Sequence, residues 1–413
     1  MSTYPRWQQS LVKQALKYSR IVVLSGTRQC GKTTLARKLA SGNTGYLTLD
    51  DPQTLEAARN DLRGLVRHNR STLIIDEFQR IPELLLAIKQ VVDEDNRPGQ
   101  FLLTGSSNIL AAPTAMESLA GRVHRIRLRL LTQGEMRKVK PGFLKIAFSR
   151  SFQAGEIAAA GNRKRLLELG FRGGFPEAVK LSRAQRQKWC GNFIESLLQQ
   201  DLKDISRLRR HGALRNLVPV MAAWSGRYMN ISAILSGLGI QRETAESYIE
   251  ALRLLYLVEP VPPWTRTDYA QVGKQHKIFM TDSGLMASIL GWKPDNLTSD
   301  QTGKLFETFV FNELAAQVDT EEDVRHEIFH YRDQKKREID LLVEREDGAL
   351  LGIEVKASST VQGDDFKHLK WFQKNLAQKE FVGIVLYAGE SVLPFGEGMW
   401  AVPVSIFWSN KPL

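Results

Sequence analysis

One stretch near the start of the chain limits the possible folds more than any other. Residues 21–24 are apolar and predict a buried strand, and the sequence GTRQCGKTT follows at residues 26–34. Glycines five positions apart, followed by lysine and threonine, form the pattern of a phosphate-binding loop between a strand and a helix. The backbone N–H groups of such a loop and the N-terminus of its helix attract phosphate oxygens. We therefore predict an α/β fold with a nucleotide site at this loop.

The loop supplies the predicted nucleotide contacts, which are Gly26, Thr27, Arg28, Gln29, Cys30, Gly31, Lys32, Thr33 and Thr34. Lys32 is expected to reach the β- and γ-phosphates, and the Thr33 hydroxyl is expected to bind Mg²⁺.

A second motif, which contains two acidic residues, supports this prediction. The apolar residues of STLIIDEF end in Asp76 and Glu77. Downstream of a phosphate loop, such a pair suggests that Asp76 orients Mg²⁺ through water and that Glu77 polarises the attacking water. A helix cap is the alternative for an isolated pair of this kind.

Two further segments could reach the same site. The strand QFLLTGSSN would bring Thr104, Ser106, Ser107 and Asn108 to the carboxyl edge of the sheet, where ligands bind in open α/β folds. One of them could hold the hydrolytic water, and Asn108 is our candidate. We place Arg122, after the turn at Gly121, near the same edge, where it could sense the γ-phosphate of its own subunit or of a neighbour. A surface role for Arg122 is the alternative.

The segments GTRQCGKTTLARKLA, YLTLDDP, LIIDEFQRIPELL, LLTGSSN and SLAGRVHRIRL together resemble the ATPase core of a large prokaryotic AAA-superfamily group. In that group the core is joined to a C-terminal domain whose role is poorly defined. The resemblance continues through FRGGFPEAV, YIEALRLLYLVEPVPPW, KIFMTDSGLMASILGW and GKLFETFVFNEL. It implies ATP as the ligand and an extra strand between the two nucleotide motifs, which residues 46–49 would supply.

The resemblance and the length of 413 residues suggest several domains. We predict an ATPase domain at 1–140, a helical lid or connector at 141–225, a winged-helix-like domain at 226–295 and a C-terminal α/β domain at 296–413. The second helix of the winged-helix-like segment carries Glu243, Glu246 and Glu250. Because carboxylates are unfavourable near phosphates, this helix favours a scaffold or protein-contact role over the reading of DNA.

A second candidate site lies near the C-terminus. In a strand, Glu354 and Lys356 share one face because side chains alternate with a period of two, and Asp340 lies on a preceding strand. Glu307 shares a helical stripe with Val310, Phe311 and Leu314. A carboxylate on an apolar stripe needs a partner, and a metal would be one.

This set resembles the restriction-endonuclease-like PD-(D/E)xK fold. The resemblance implies Asp340 and Glu354 as Mg²⁺ ligands, Lys356 as the group that assists the nucleophilic water, and Glu307 as a further ligand. Two alternatives remain open: a nuclease-like module that binds without cutting, and a charge ladder on an ordinary sheet face.

The composition bears on partners and location. A net charge of +12 favours polyanions, with DNA as the first candidate. The sequence shows no signal peptide or membrane-spanning run, so we expect a cytoplasmic protein, which could form homo-oligomers. The predicted function is ATP hydrolysis that controls a divalent-metal-dependent nuclease-like domain. The alternative is an ATP-dependent switch or scaffold that binds DNA or a protein without cleavage.

Overall fold

The computed structural model describes residues 4–106, 119, 121–156, 161–205, 211–236, 238–266, 274–321 and 323–409. Within these ranges, no helix has both the length and the apolar composition needed to cross a membrane.

The N-terminal part is built on a parallel sheet. Its elements in chain order are α1 (Gln8–Tyr18), β1 (Ile21–Ser25), α2 (Lys32–Leu39), β2 (Thr44–Thr48), α3 (Pro52–Asn60), α4 (Leu62–Val66), β3 (Thr72–Asp76), α5 (Leu84–Glu94), β4 (Phe101–Gly105) and β5 (Val123–Arg127). The strand order is β2-β3-β4-β1-β5, and all pairs are parallel. β2 is the predicted extra strand between the two nucleotide motifs.

Both faces of this sheet are covered. Ile21 and Val23 of β1 belong to one apolar cluster, whereas Val22 and Leu24 belong to another. This alternation is the period-two pattern of a strand, and burial on both faces explains why the strands are apolar runs. The sheet is therefore covered on both faces, and its carboxyl edge is left for the loops.

The segment after β5 comprises the end of the predicted ATPase domain and the helical connector predicted at 141–225. Its elements are α6 (Gln133–Arg137), α7 (Phe143–Phe148), β6 (Gly155–Glu156), α8 (Arg163–Arg172), α9 (Arg183–Ile205) and α10 (His211–Trp224). Phe143, Phe148 and Phe152 pack in the apolar core of the C-terminal domain. In addition, β6 pairs with a strand of the C-terminal sheet. Residues 143–156 are thus built into the C-terminal domain, and the predicted boundary at 141 does not reflect this packing.

The middle part contains helices and a small antiparallel sheet. Its elements are β7 (Arg227–Tyr228), α11 (Ile231–Leu235), α12 (Arg242–Leu254), β8 (Val258–Val261), β9 (Lys277–Met280) and α13 (Ser283–Ile289). The strand order is β7-β9-β8. Two helices followed by the β8–β9 pair are the elements that a winged helix would require.

The C-terminal domain is organised around a mixed sheet. Its elements are α14 (Ser299–Val318), β10 (His326–Arg332), β11 (Glu338–Arg345), β12 (Leu350–Lys356), α15 (Lys367–Asn375), β13 (Phe381–Tyr387), β14 (Ser391–Pro394) and β15 (Met399–Pro403). The strand order is β10-β11-β12-β13-β15-β14-β6. β10, β11 and β12 are antiparallel, and β12 and β13 are parallel. The order along the chain is a helix, three strands, a helix and then three more strands.

Candidate functional site

The phosphate-loop sequence lies between β1 and α2, at the carboxyl edge of the parallel sheet. Gly26 and Gly31 have φ angles of 154° and 103°, a region that favours glycine. A Cβ atom on Gly26 would lie 2.3 Å from the carbonyl oxygen of Leu128. Gly26 is therefore required both by its own backbone angle and by the close approach of the segment that follows β5.

The Lys32 ammonium lies over the loop. Its Nζ donates hydrogen bonds to the carbonyl oxygens of Gly26 and Thr27, both at 2.9 Å, and the residue is buried. Of the other predicted contacts, Cys30 is fully buried and packs in the apolar core. A thiol packed in the core does not contact a nucleotide, so only the backbone of Cys30 is left for that role.

Asp76 receives three hydroxyl donors. Thr33 Oγ1 donates to its Oδ1 at 3.2 Å, Tyr46 OH donates to its Oδ2 at 2.8 Å, and Thr104 Oγ1 also donates to Oδ1. Burial raises the pKa of Tyr46 to about 12, so its phenol remains a donor at neutral pH. The Thr33 hydroxyl and the Asp76 carboxylate are adjacent hard oxygen ligands, which fits a Mg²⁺ ion bound together with a nucleotide.

Glu77 has an unusual backbone conformation next to Asp76. Its φ of 58° lies in the left-handed region, which is uncommon for residues other than glycine. The Gln79 side-chain amide donates to Glu77 Oε2 and, at 3.1 Å, to Ser106 Oγ. Burial raises the pKa of Glu77, and the nearby Lys32 charge opposes this shift. A carboxylate held in this way is suited to accept a proton from water.

Four residues were expected to reach the site from the end of β4, and the structure describes two of them, Thr104 and Ser106. Thr104 contacts Asp76, and Ser106 contacts Gln79. Asn108 and Ser107 lie outside the described residues. The prediction for Asn108 therefore stays a prediction. Tyr46 and Gln79 were not predicted as site residues, although both lie in segments that carry the nucleotide motifs.

The predicted position of Arg122 is wrong. Its carbonyl oxygen accepts a hydrogen bond from the N–H of Ile21 at 3.3 Å, at the beginning of β1. Its guanidinium donates to Asp93 at 2.5 Å and 3.2 Å. Because β1 and β5 are parallel, Arg122 lies at the amino edge of the sheet, opposite the phosphate loop. It does not reach the nucleotide site of its own subunit, and a contact with a neighbour's site stays a prediction.

In the C-terminal domain, a lysine from the middle part lies among the predicted acidic residues. Lys277 Nζ lies 2.5 Å from Glu307 Oε1 and 3.1 Å from Asp340 Oδ1, and its side chain is only 4% exposed. Asp340 Oδ2 accepts a hydrogen bond from the N–H of Val355 at 3.0 Å. Burial alone would lower the pKa of Lys277, but the two carboxylates outweigh it and raise that pKa. Lys277 therefore remains a cation.

The carboxyl groups of this acidic site differ in the direction in which their pKa is shifted. Glu354 is 8% exposed, and burial together with the Asp340 charge raises its pKa well above the usual value. Burial raises the pKa of Glu307 to about 7, although Lys277 opposes this. Burial would also raise the pKa of Asp340, but Lys277 and the Val355 N–H lower it below the usual value. Lys356 lies 3.6 Å from Asp365 Oδ1 and is partly exposed.

These residues do not fit a metal ion in this conformation. Across the described ranges, no group of three or more His, Cys, Asp or Glu side chains is arranged to hold one. The Mg²⁺ site predicted at Glu307, Asp340 and Glu354 is therefore not formed among the described residues, and two of these carboxylates are paired with Lys277. Sequence reasoning missed Lys277. The only local signal is a lysine at the start of the buried strand KIFM.

Arg129 connects the three parts of the chain. Its Nη1 and Nη2 donate to Glu259 of β8, both at 2.8 Å, and its Nε donates to Asp319, just after α14, at 2.6 Å. Arg127 also contacts Glu259, at 2.9 Å. Burial would raise the pKa of Glu259, but the two arginines lower it to about 2. Glu259 is therefore a carboxylate throughout the physiological range.

Comparisons with known proteins match three successive segments of the chain. Residues 18–137 match a family described as an AAA domain, and residues 163–296 and 302–407 match two domains of unknown function, DUF8612 and DUF4143. The uncharacterized protein Rv2008c of Mycobacterium tuberculosis is 29% identical over 401 residues, which are 95% of this chain and 82% of the relative. An uncharacterized protein of Mycobacterium bovis, Mb2031c, matches with the same values.

Similar solved structures include a Walker-type ATPase of Pyrococcus abyssi, with 14% identity, 70% of this chain and 96% of that chain covered, and a TM-score of 0.42. The RuvB Holliday junction branch migration motor of Thermotoga maritima has 20% identity, coverage of 63% and 91%, and a TM-score of 0.29. The family match, the phosphate loop and the Asp76–Glu77 pair lead to one conclusion. Residues 18–137 are an AAA-type P-loop ATPase domain.

Proposed function

We propose that this chain is an ATP-hydrolysing switch in which the nucleotide state of the AAA domain controls the C-terminal domain, and that the C-terminal domain acts on nucleic acid. The observation that supports control is the buried Arg129 guanidinium, which binds Glu259 of the middle part and Asp319 of the C-terminal domain. The net charge of +12 supports a polyanionic partner.

The roles proposed for the ATPase residues follow from their contacts. Lys32 exchanges its two loop carbonyls for phosphate oxygens of ATP, and its charge stabilises the charge that develops during transfer. Thr33 and Asp76 would hold Mg²⁺, which supplies charge neutralisation at the phosphates. Glu77 orients the attacking water and accepts its proton, while Gln79 holds the carboxylate in place.

The proposed route from nucleotide to C-terminal domain is short. The N–H of Leu128 donates to the carbonyl oxygen of Ser25 at 2.7 Å, and the Leu128 carbonyl lies against Gly26. A change in the loop would therefore act on the backbone next to Arg129. The Arg129 guanidinium binds carboxylates of two other domains. Its displacement would therefore change contacts in both domains. These contacts connect the phosphate loop to Arg129 physically. The energetic coupling between the nucleotide site and the other domains has to be measured.

Hydrogen–deuterium exchange tests this proposal. In a Glu77→Gln background, which is expected to bind ATP without turnover, MgATP should change the exchange of β8, β9 and the end of α14. Arg129→Lys keeps the charge but lacks the planar fork that binds two carboxylates at once. It should reduce this response while ATP binding remains.

Arg67→Lys is the matched control, because Arg67 forms an exposed ion pair with Glu94 in the same domain. It should leave the response unchanged. Equal exchange of β8, β9 and α14 with and without nucleotide would contradict the proposed control.

For the C-terminal domain, binding without cleavage is the mode that the geometry favours, because Lys277 pairs with Glu307 and Asp340, two of the predicted metal ligands. Divalent-metal-dependent cleavage is the second candidate. It is favoured by the location of Asp340, Glu354 and Lys356 on the neighbouring strands β11 and β12, next to Glu307 of α14.

Two assays separate these modes. A salt-dependent mobility shift of DNA without degradation would support binding alone. Cleavage of plasmid or single-stranded DNA that requires Mg²⁺ or Mn²⁺ and is lost in Asp340→Ala would support the nuclease. Neither a shift nor cleavage, with or without ATP, would contradict action on DNA.

A further inference from the structure

Lysine side chains cover one face of α15 in the C-terminal domain. Lys367, Lys370 and Lys374 of this helix are all exposed. At about 100° per residue, these three positions fall within an arc of roughly 60° around the helix. Leu369 and Phe372 are buried and lie on the opposite side. The helix therefore packs one apolar face in the core and presents a lysine face to solvent.

The turn between β10 and β11 extends this face. The guanidinium of Arg337, at the end of that turn, lies over the ring of Trp371 at 3.3 Å. Trp371 is one helical turn away from two of the α15 lysines. The same turn carries Lys335 and Lys336, which are both exposed. The turn and the lysine face of α15 therefore belong to one surface.

Arg266 adds a cation at the C-terminal end of α15. It is exposed, and its guanidinium donates a hydrogen bond to the carbonyl oxygen of Asn375 at 2.8 Å. We call the six exposed cations together the basic surface, which consists of Arg266, Lys335, Lys336, Lys367, Lys370 and Lys374. Within the described part of the chain, none of its five lysines forms an ion pair with a carboxylate. Their charge is therefore available to an anionic partner.

We propose that the basic surface binds the phosphate backbone of duplex DNA without reading its sequence. This inference rests on the proposed action on nucleic acid, because it names the form of nucleic acid and the surface that holds it. Lysine ammoniums are compact charges that bind phosphates without a fixed geometry. Duplex DNA carries one negative charge per about 1.7 Å of its axis, so several lysines on one surface meet phosphates together.

The aromatic residue of this surface favours a duplex over a single strand. Proteins that hold single strands stack the bases on aromatic side chains. Trp371 is partly buried, Arg337 lies over its ring, and the ring of Tyr331 is stacked with it at a centroid distance of 6.4 Å. The indole is thus engaged within the protein. The surface offers charge rather than stacking, which fits a partner whose bases already stack on one another.

Salt titration of DNA binding by the full-length chain tests the proposal. Fluorescence anisotropy would follow a labelled duplex, a second duplex of unrelated sequence and an isolated strand. For duplex DNA, the logarithm of the binding constant falls with the logarithm of the salt concentration, with a slope of about 0.9 per phosphate contact. Combining Lys367→Gln, Lys370→Gln and Lys374→Gln should make this slope shallower by roughly 2 to 3 and weaken binding at least about tenfold. The two duplexes should bind alike.

The matched control replaces Lys13, Lys17 and Lys38 by glutamine, three exposed lysines of the ATPase domain. It makes the same change in net charge and should keep the wild-type slope. A second variant, Lys335→Gln with Lys336→Gln, leaves α15 intact and should make the slope shallower by about 2. Because all these side chains are exposed, each variant should keep the wild-type melting midpoint.

The possible results separate this inference from the proposed function. Wild-type affinity and slope in both basic-surface variants would overturn the assignment of the surface, while DNA binding by the wild type would still support action on nucleic acid. No binding of DNA by the wild type would refute both. Tighter binding of the single strand than of the duplex would overturn the duplex assignment.

Competition distinguishes DNA from an acidic protein. Poly-glutamate of the same total charge should displace the duplex at least about tenfold less well than unlabelled duplex does, because an extended peptide carries its charges about 3.3–3.6 Å apart. Equal competition by the two polyanions would indicate an acidic protein partner and would overturn the assignment to DNA.

Discussion

Replacing Glu313 by glutamine should remove a large part of the pH dependence of stability. Glu313 of α14 is 3% exposed, and its two carboxylate oxygens accept hydrogen bonds from the N–H of Gln133 at 2.9 Å and 3.2 Å. Burial raises its pKa from 4.5 to about 8, opposed by the Gln133 N–H and the Arg137 charge. At neutral pH the native state therefore holds a proton on Glu313 that the unfolded chain has lost.

The sign and size of the effect follow from proton linkage. Below pH 4.5 the group is protonated in both states and contributes no pH dependence. As pH rises from 4.5 to about 8, the native state binds more protons than the unfolded state, so the free energy of unfolding falls. The slope is about 1.4 kcal/mol per pH unit, which gives a total loss on the order of 5 kcal/mol. Glutamine resembles the protonated acid and avoids this loss.

Thermal melting of the wild type, Glu313→Gln and Glu390→Gln between about pH 5 and pH 8 measures this effect. Glu390 is exposed in the same domain, so its variant controls for the loss of one carboxylate. The midpoint of Glu313→Gln should rise relative to the wild type as pH increases, and that of Glu390→Gln should not. Parallel curves for all three proteins would show that Glu313 is ionised in the native state and would refute this reasoning.

The ATPase domain gives three further expectations. Lys32→Ala should lose most ATP binding or hydrolysis, and unchanged affinity by calorimetry together with intact turnover would contradict the phosphate-loop assignment. Glu77→Gln should bind ATP but hydrolyse it at least ~100-fold more slowly, the scale expected for loss of a general base; near-normal turnover would remove Glu77 from that role. If Arg122 acts on a neighbour's γ-phosphate, ATPase activity per subunit should rise with protein concentration and be lost in Arg122→Ala. Constant specific activity from a monomer would exclude this.

Contiguous motifs were the most predictable part of the chain. The ATPase domain was predicted from a loop of nine residues and an acidic pair after a strand, and the family match over residues 18–137 confirms it. Such motifs are local, because a strand–loop–helix unit determines its own backbone. The placement of Asp340 and Glu354 on adjacent strands also followed from a local rule, the alternation of side chains.

Long-range packing could not be predicted in this way. Lys277 contacts Asp340, 63 positions away along the chain, and no period or motif indicates that pairing. Arg122 was placed at the wrong edge because a turn and an arginine were considered without the direction of β5. In a parallel sheet the residue before a strand lies at the amino edge, so the strand pairing determines its location.

The pairing of β6 with β14 has a consequence for synthesis of the chain. Glu156 is paired with Ser391, so 235 residues must be added before this ladder can form. At roughly 5–20 residues per second, the delay is on the order of tens of seconds. During that time Phe143, Phe148 and Phe152 have left the ribosome without the partners that bury them. This segment therefore exposes aromatic side chains on the nascent chain, which is the kind of surface that a chaperone binds.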